Sequence, residues 1–237
     1  MLDRAIKAIK NPSLVITRLM MVFHRCEEWF FAVKDSRSLS KKTNTILFVD
    51  LGANLGQGYS WFSNHFDGDN IKFELFEPNP YCLAELKQLA DVKNGKVKLH
   101  GVAVGPKAGN FKFYGLAENE GGKYSEGGSI LKTQNSAWYE ASSDLAIDVE
   151  VIDFSKYLKE KSKNYETILV KMDVEGAEVE LLEKMIKDFS IDLIDYLYVE
   201  FHSQFLDEES STLTKRREEN IIKELRKKKG FNLRIWH

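Results

Sequence analysis

From residue 46 onward, short apolar runs alternate with segments of helical periodicity, and no other feature limits the fold of this chain as strongly. The run Ile46-Leu47-Phe48-Val49 ends at Asp50 and leads into a glycine-bearing turn and a helical segment. Strand patterns follow over 71–76, 97–104, 167–172 and 196–201, with helical patterns over 81–90 and 177–186. Strands separated by helices of this length predict a mostly parallel sheet covered on both faces, a three-layer α/β domain. Open sheets of that kind bind ligands beyond the carboxyl ends of their strands, where strand order reverses. The residues just after each strand are therefore the first places to look for chemistry.

The flanks read differently. Residues 1–35 form an amphipathic helical pattern, with Asn11 as cap, Pro12 in the first turn and apolar positions recurring from Leu14 to Val33. This segment is expected to pack on the domain body. Residues 35–45 are polar and read as a linker, which divides the chain into a helical part, 1–45, and a domain, 46–237. Between 105 and 150 the alternation breaks, and five of the fifteen glycines fall at 115, 121, 122, 127 and 128. Long loops are often functional lids, and this one is expected to shape a substrate pocket. Within it, 111–114 and 147–151 alternate like strands and predict an antiparallel extension. A charged helix over 210–229 ends before Gly230, its Lys227-Lys228-Lys229 complementing the helix dipole, and one strand over 231–236 closes the chain.

Composition removes several classes. With 34 basic and 36 acidic residues the formal charge is −2, so a nucleic-acid binder, which needs a basic excess, is not indicated. The most apolar N-terminal run, Leu19 to Phe23, is too short to span a bilayer, and His24, Arg25, Glu27 and Glu28 interrupt it. Two cysteines, Cys26 and Cys82, make neither a disulfide framework nor a zinc cluster. The chain therefore reads as cytoplasmic, with free thiols.

The first candidate site is Asp50-Leu51-Gly52-Ala53-Asn54-Leu55-Gly56-Gln57-Gly58, followed one strand later by Glu77. Glycines allow a sharp turn and close backbone approach, and an acid at the next strand end can accept hydrogen bonds from both hydroxyls of a ribose. The glycine spacing departs from that of dinucleotide sites, and Asp50 would repel a pyrophosphate. An ammonium group suits it better. S-adenosylmethionine carries that ammonium, a carboxylate for the helix N–H groups and a ribose for Glu77.

These residues also resemble a known family. FVDLGANLGQGYSWF (48–62), FEPNP (76–80) and LVKMDVEGAEVELL (169–182) are similar to runs in the FkbM-type methyltransferases, with GGSIL (127–131) and YVEFH (198–202) falling where related runs lie. The resemblance implies a Rossmann-like methyltransferase fold and transfer of a methyl group from S-adenosyl-L-methionine. It implies that Asp50, Gly52, Ala53, Asn54 and Gly56 cradle the methionine portion, that Glu77 and Pro78 lie at the ribose, and that the backbone near Ala103 borders the adenine. Sheets of this class usually end in a strand hairpin. Only one strand pattern follows residue 230, so the edge is expected to be shortened or completed by a partner chain, which leaves a homodimer open.

The second candidate site lies after two later strands. Lys171 and Asp173 share one face of their strand, Glu175 sits at the strand-to-helix turn, and Glu200 and His202 alternate at the end of the next strand. If those strands are neighbours, the five residues form a cluster, with Asp173 also reaching the cofactor. Glu178, in the first helical turn, is expected to favour the helix dipole. A hydroxyl acceptor needs a base, for which Asp173, Glu175 and His202 are candidates, and Lys171 could offset charge on a developing alkoxide. No metal is included in this expected site; a hard divalent ion such as magnesium is the weaker reading of the carboxylates. The expected activity is O-methylation of a sugar or small-metabolite hydroxyl. The alternatives are N-methylation and a non-catalytic module that only binds S-adenosylmethionine.

Overall fold

The computed structural model describes residues 29–39, 45–66, 68–116, 122–132, 145–206 and 208–236. The chain divides into two compact units between residues 42 and 43. In the first, residues 29–39 are helical, and Trp29 and Phe30 are exposed. The Asn11 cap, Pro12, Cys26 and most of the expected N-terminal helix lie outside the described residues.

The second unit is built on a six-stranded sheet. Its strands are β1 (Ile46–Leu51), β2 (Ile71–Phe76), β3 (Val97–His100), β7 (Thr167–Met172), β8 (Tyr196–Val199) and β9 (Asn232–Ile235), in the order β3-β2-β1-β7-β8-β9. Every neighbouring pair in it is parallel. β1 and β7 are buried at all six positions, as their largely apolar runs, interrupted only by Asp50 in β1 and by Thr167 and Lys171 in β7, require of strands covered on both faces. The chain winds outward from β1 through β2 to β3, then returns to the other side of β1 with β7. The topological switch point therefore lies between β1 and β7.

Alternate residues of β1 face two different layers. Leu47, Val49 and Leu51 join a core with Phe154 and Leu158 of helix Phe154–Lys161, Leu182 and Met185 of helix Glu178–Lys187, and Ile221 and Leu225 of helix Glu208–Leu225. Phe48 on the opposite face meets Phe62, Phe66 and Phe73 with ring centroids 4.7–5.9 Å apart. Phe62 belongs to helix α1 (Gln57–Ser63) and also packs on Tyr198 and Trp236. Helices thus cover both faces of the sheet.

The expected strand over 97–104 is split. β3 ends at His100, and β4 (Ala103–Gly105) leaves the main sheet to pair with β6 (Ile147–Asp153), which pairs antiparallel with β5 (Gly109–Phe113). The break falls at Gly101, where a Cβ would stand 2.7 Å from Leu83 Cδ2. The strands expected over 111–114 and 147–151 do pair antiparallel, but in a separate three-stranded sheet and not as an extension of the main one. Helix Phe154–Lys161 is missing from the sequence reading, although its Asp153 cap accepts the Lys156 N–H at 3.2 Å. Among the described residues the C-terminal edge is closed by β9 alone, parallel to β8 where the hairpin of the class would add an antiparallel strand.

Candidate functional site

Four strand ends meet at the switch point. β1 and β7 are in register with Asp50 beside Lys171, and β7 and β8 with Met172 beside Val199. The ladder continues past the strands: Asp173 N–H donates to Leu51 O at 3.1 Å, Glu200 N–H to Met172 O at 3.0 Å, and Glu77 N–H to His100 O at 3.0 Å. The turn after β1 is locked to both neighbours. Gly52 and Ala53 donate N–H to Phe76 O, and a Cβ on Gly52, at φ +81°, would stand 1.8 Å from Asp173 O. Gly52 therefore serves close approach of two backbones; it is half-buried itself, and Ala53 and Gly56 beside it are buried.

Glu77 is 5% exposed. Asn54 N–H donates to its Oε2 at 2.7 Å and Asn79 N–H to its Oε1 at 2.8 Å. A carboxylate has about four lone-pair sites, so each oxygen retains acceptor capacity. Burial pushes this carboxyl up, the two backbone donors pull it down, and the balance is about 7. Asn54 and Asn79 also hold a strap. Asn54 Nδ2 donates to Ser125 O at 3.1 Å and Asn79 Nδ2 to Lys123 O at 2.8 Å. Farther along the strap, Ser129 Oγ donates to Glu175 O at 2.6 Å, so residues 122–131 bridge the two candidate sites. Asn79 caps the helix Pro80–Leu86 as well, accepting the Tyr81 N–H. Its signal in the sequence is Asn directly before Pro at a helix start.

Asp50 lies deeper than the sequence suggests. It is fully buried, and Gly58 of α1 covers it so closely that a Cβ there would be 2.9 Å from Asp50 Oδ2. Among the described residues neither of its oxygens has a hydrogen-bond donor in good geometry, but Lys171 Nζ stands 3.3 Å away as an ion pair. Burial raises the Asp50 carboxyl against that lysine's pull. Lys171, 4% exposed, also bonds Asp173 Oδ2 at 3.1 Å. Burial would lower its ammonium, but Asp173 and Asp50 hold it well above the ordinary lysine range. Lys171 is thus a cation already facing Asp50. Pro78 is half-buried, and Ala103 sits in the core of the small sheet with Phe113 and Val151.

The five residues of the second cluster come together because β7 and β8 are neighbours. His202 Nε2 is 3.7 Å from Asp173 Oδ1, 3.5 Å from Glu175 Oε1 and 3.7 Å from Glu200 Oε1. Its Nδ1 lies 3.0 Å from Glu178 Oε1. Glu178, 1% exposed, also accepts the N–H groups of Val174 and Gly176, so it fixes both the turn and the imidazole. The turn places Glu175 at φ +54°, a left-handed conformation that costs a non-glycine residue about 1–2 kcal/mol. Burial would lower His202, yet its hydrogen bond to Glu178 and the charges of Glu178, Glu175 and Asp173 push it up to about 10. Burial raises Glu175 to about 8, with His202 opposing and the other acids adding, and raises Glu200 to about 7.

No helix among the described residues is long and apolar enough to cross a membrane. No curated protein matches the chain. Among solved structures, it is similar to the methyltransferase FkbM from Methylobacillus flagellatus KT, with 14% identity and a TM-score of 0.42, over 72% of this chain and 36% of that one. The chain therefore spans about a third of that protein's length. The model of the methyltransferase FkbM domain matches residues 50–233, most of the chain, and on that match the protein belongs to the FkbM methyltransferase family.

Proposed function

We propose that the chain binds S-adenosylmethionine and transfers its methyl group to a hydroxyl oxygen of a saccharide or small metabolite. The observation that carries this reading is Glu77, a buried carboxylate at the end of β2, fixed by two backbone donors next to the switch point and still able to accept. Its remaining lone pairs suit the two hydroxyls of a ribose. Asp50 holds Lys171, Lys171 holds Asp173, and Asp173, with its side chain 24% exposed, is the member of that chain of charges that faces outward.

In the transfer, the acceptor oxygen forms a bond to the methyl carbon as the carbon–sulfur bond breaks, and its electron pair stays on sulfur. The hydroxyl proton passes to a carboxylate of the Asp173, Glu175, Glu200 set. Alignment and exclusion of water supply most of the remaining acceleration. Incubation with S-adenosylmethionine and a panel of hydroxylated acceptors tests the reading by release of S-adenosylhomocysteine. Release that falls about 100-fold in Asp173→Asn, with cofactor affinity little changed, is the expected outcome. Cofactor that binds without turnover on any acceptor would favour a binding module.

A further inference from the structure

Proton transfer to a carboxylate leaves one part of the second cluster unexplained, its imidazole. His202 is 4% exposed, and Glu178 anchors its Nδ1 while bonding two backbone N–H groups of the turn. Nε2 is thereby aimed at Asp173, Glu175 and Glu200, whose nearest oxygens stand 3.7, 3.5 and 3.7 Å away. These distances are long for hydrogen bonds, which cluster near 2.9 Å. They approach what a shared ion requires: ligands ~2.1 Å from one cation stand ~3.0 Å apart at an octahedral angle and ~3.4 Å apart at a tetrahedral one. One ligand atom each from Asp173, Glu175 and His202 lies within 4.8 Å of the others. A carboxylate bonded to the far nitrogen of a ligating imidazole is the usual outer support of such a site, and Glu178 is already in that place.

We propose that Asp173, Glu175 and His202, with Glu200 beside them, form a binding site for a first-row divalent cation such as manganese, and that Glu178 positions His202 as a ligand. The sequence reading included no metal and weighed the carboxylates only as a seat for magnesium. The imidazole changes the ligand chemistry, because mixed nitrogen and oxygen donors suit manganese, cobalt or zinc better than the all-oxygen ions. Placed there, a cation would lie among the groups proposed to receive the acceptor, and would polarise its oxygen. That role rests on the methyl-transfer reading; binding of the ion does not.

The test is a manganese titration of the full chain after chelation, without donor or acceptor, followed by loss of the free-ion electron paramagnetic resonance signal. One saturating site per chain is expected. Glu178→Gln should weaken it about 10–100-fold, and His202→Ala at least as much. Glu183→Gln, on the same helix but paired with Arg217, should leave it unchanged. Circular dichroism checks folding, and Glu175→Gln carries the comparison if His202→Ala does not fold. No saturable binding by the unmodified chain at millimolar manganese, or equal affinity in all variants, overturns the proposal. Either result leaves methyl transfer untouched, since S-adenosylhomocysteine binding is measured separately.

Discussion

Asp50 and Lys171 show how charges are kept inside this domain. Each is almost fully buried, and the lysine joins the ends of β1 and β7 through Asp50 at 3.3 Å and Asp173 at 3.1 Å. Asp50→Ala takes away one of the lysine's two carboxylate partners and leaves it Asp173, so it should cost about 1–3 kcal/mol in denaturant unfolding. A loss below ~1 kcal/mol would show that the pair is not structural. Glu74 is a second buried acid, on β2, and it accepts from His100, Tyr157 and Lys161. Burial would raise its carboxyl, but those bonds outweigh it and hold it at about 2, below the ordinary 4.5. A folded-state value depressed in this way contributes stability that is complete above about pH 4.5 and lost as pH falls toward 2. The difference in unfolding free energy between wild type and Glu74→Gln should therefore shrink by about 2 kcal/mol from pH 6 to pH 3. A difference that does not change with pH would contradict this account of Glu74.

At the scale of elements, two connections decide the geometry. The turn after β1 approaches the residue after β7 so closely that Gly52→Ala would place its Cβ within 1.8 Å of Asp173 O, in a left-handed conformation as well. A loss of about 3 kcal/mol or more is expected, read as a lower melting temperature. The strap 122–131 is held by Asn54 and Asn79 on one side and by Ser129 on the other. Asn79→Ala removes both a helix cap and a strap bond, and should cost about 1–2 kcal/mol. It should also speed hydrogen exchange of the Tyr114 and Ser129 amides, which pair across the strap base. Unchanged exchange would mean that the strap is fixed elsewhere. Much of this geometry is legible in the sequence. Glu77, Asp173, Glu200 and His202 each follow an apolar run, and period-2 alternation puts Glu200 and His202 on one face. The partnership of Glu178 with His202 is not legible, because it joins a helix start to a loop 24 residues later. The burial of Asp50 under Gly58 also depends on how α1 docks on the sheet.

At the scale of the whole molecule, the order β3-β2-β1-β7-β8-β9 brings the acid after β2, the glycine turn after β1 and the clusters after β7 and β8 to one end of the sheet. Alternation of runs in the sequence predicts the parallel sheet. It does not predict the departure of β4 at Gly101 or the parallel edge strand β9, since both depend on contacts far apart in the chain. The cofactor site proposed above lies at that shared end, and Glu77 is the most defined group there. The most direct measurement is calorimetric titration of the full chain with S-adenosylhomocysteine, beside Glu77→Ala. The account predicts one saturable site in the wild type, weakened in the variant by about 1–3 kcal/mol. No saturable binding by the wild type, or equal affinity in the two proteins, would contradict it.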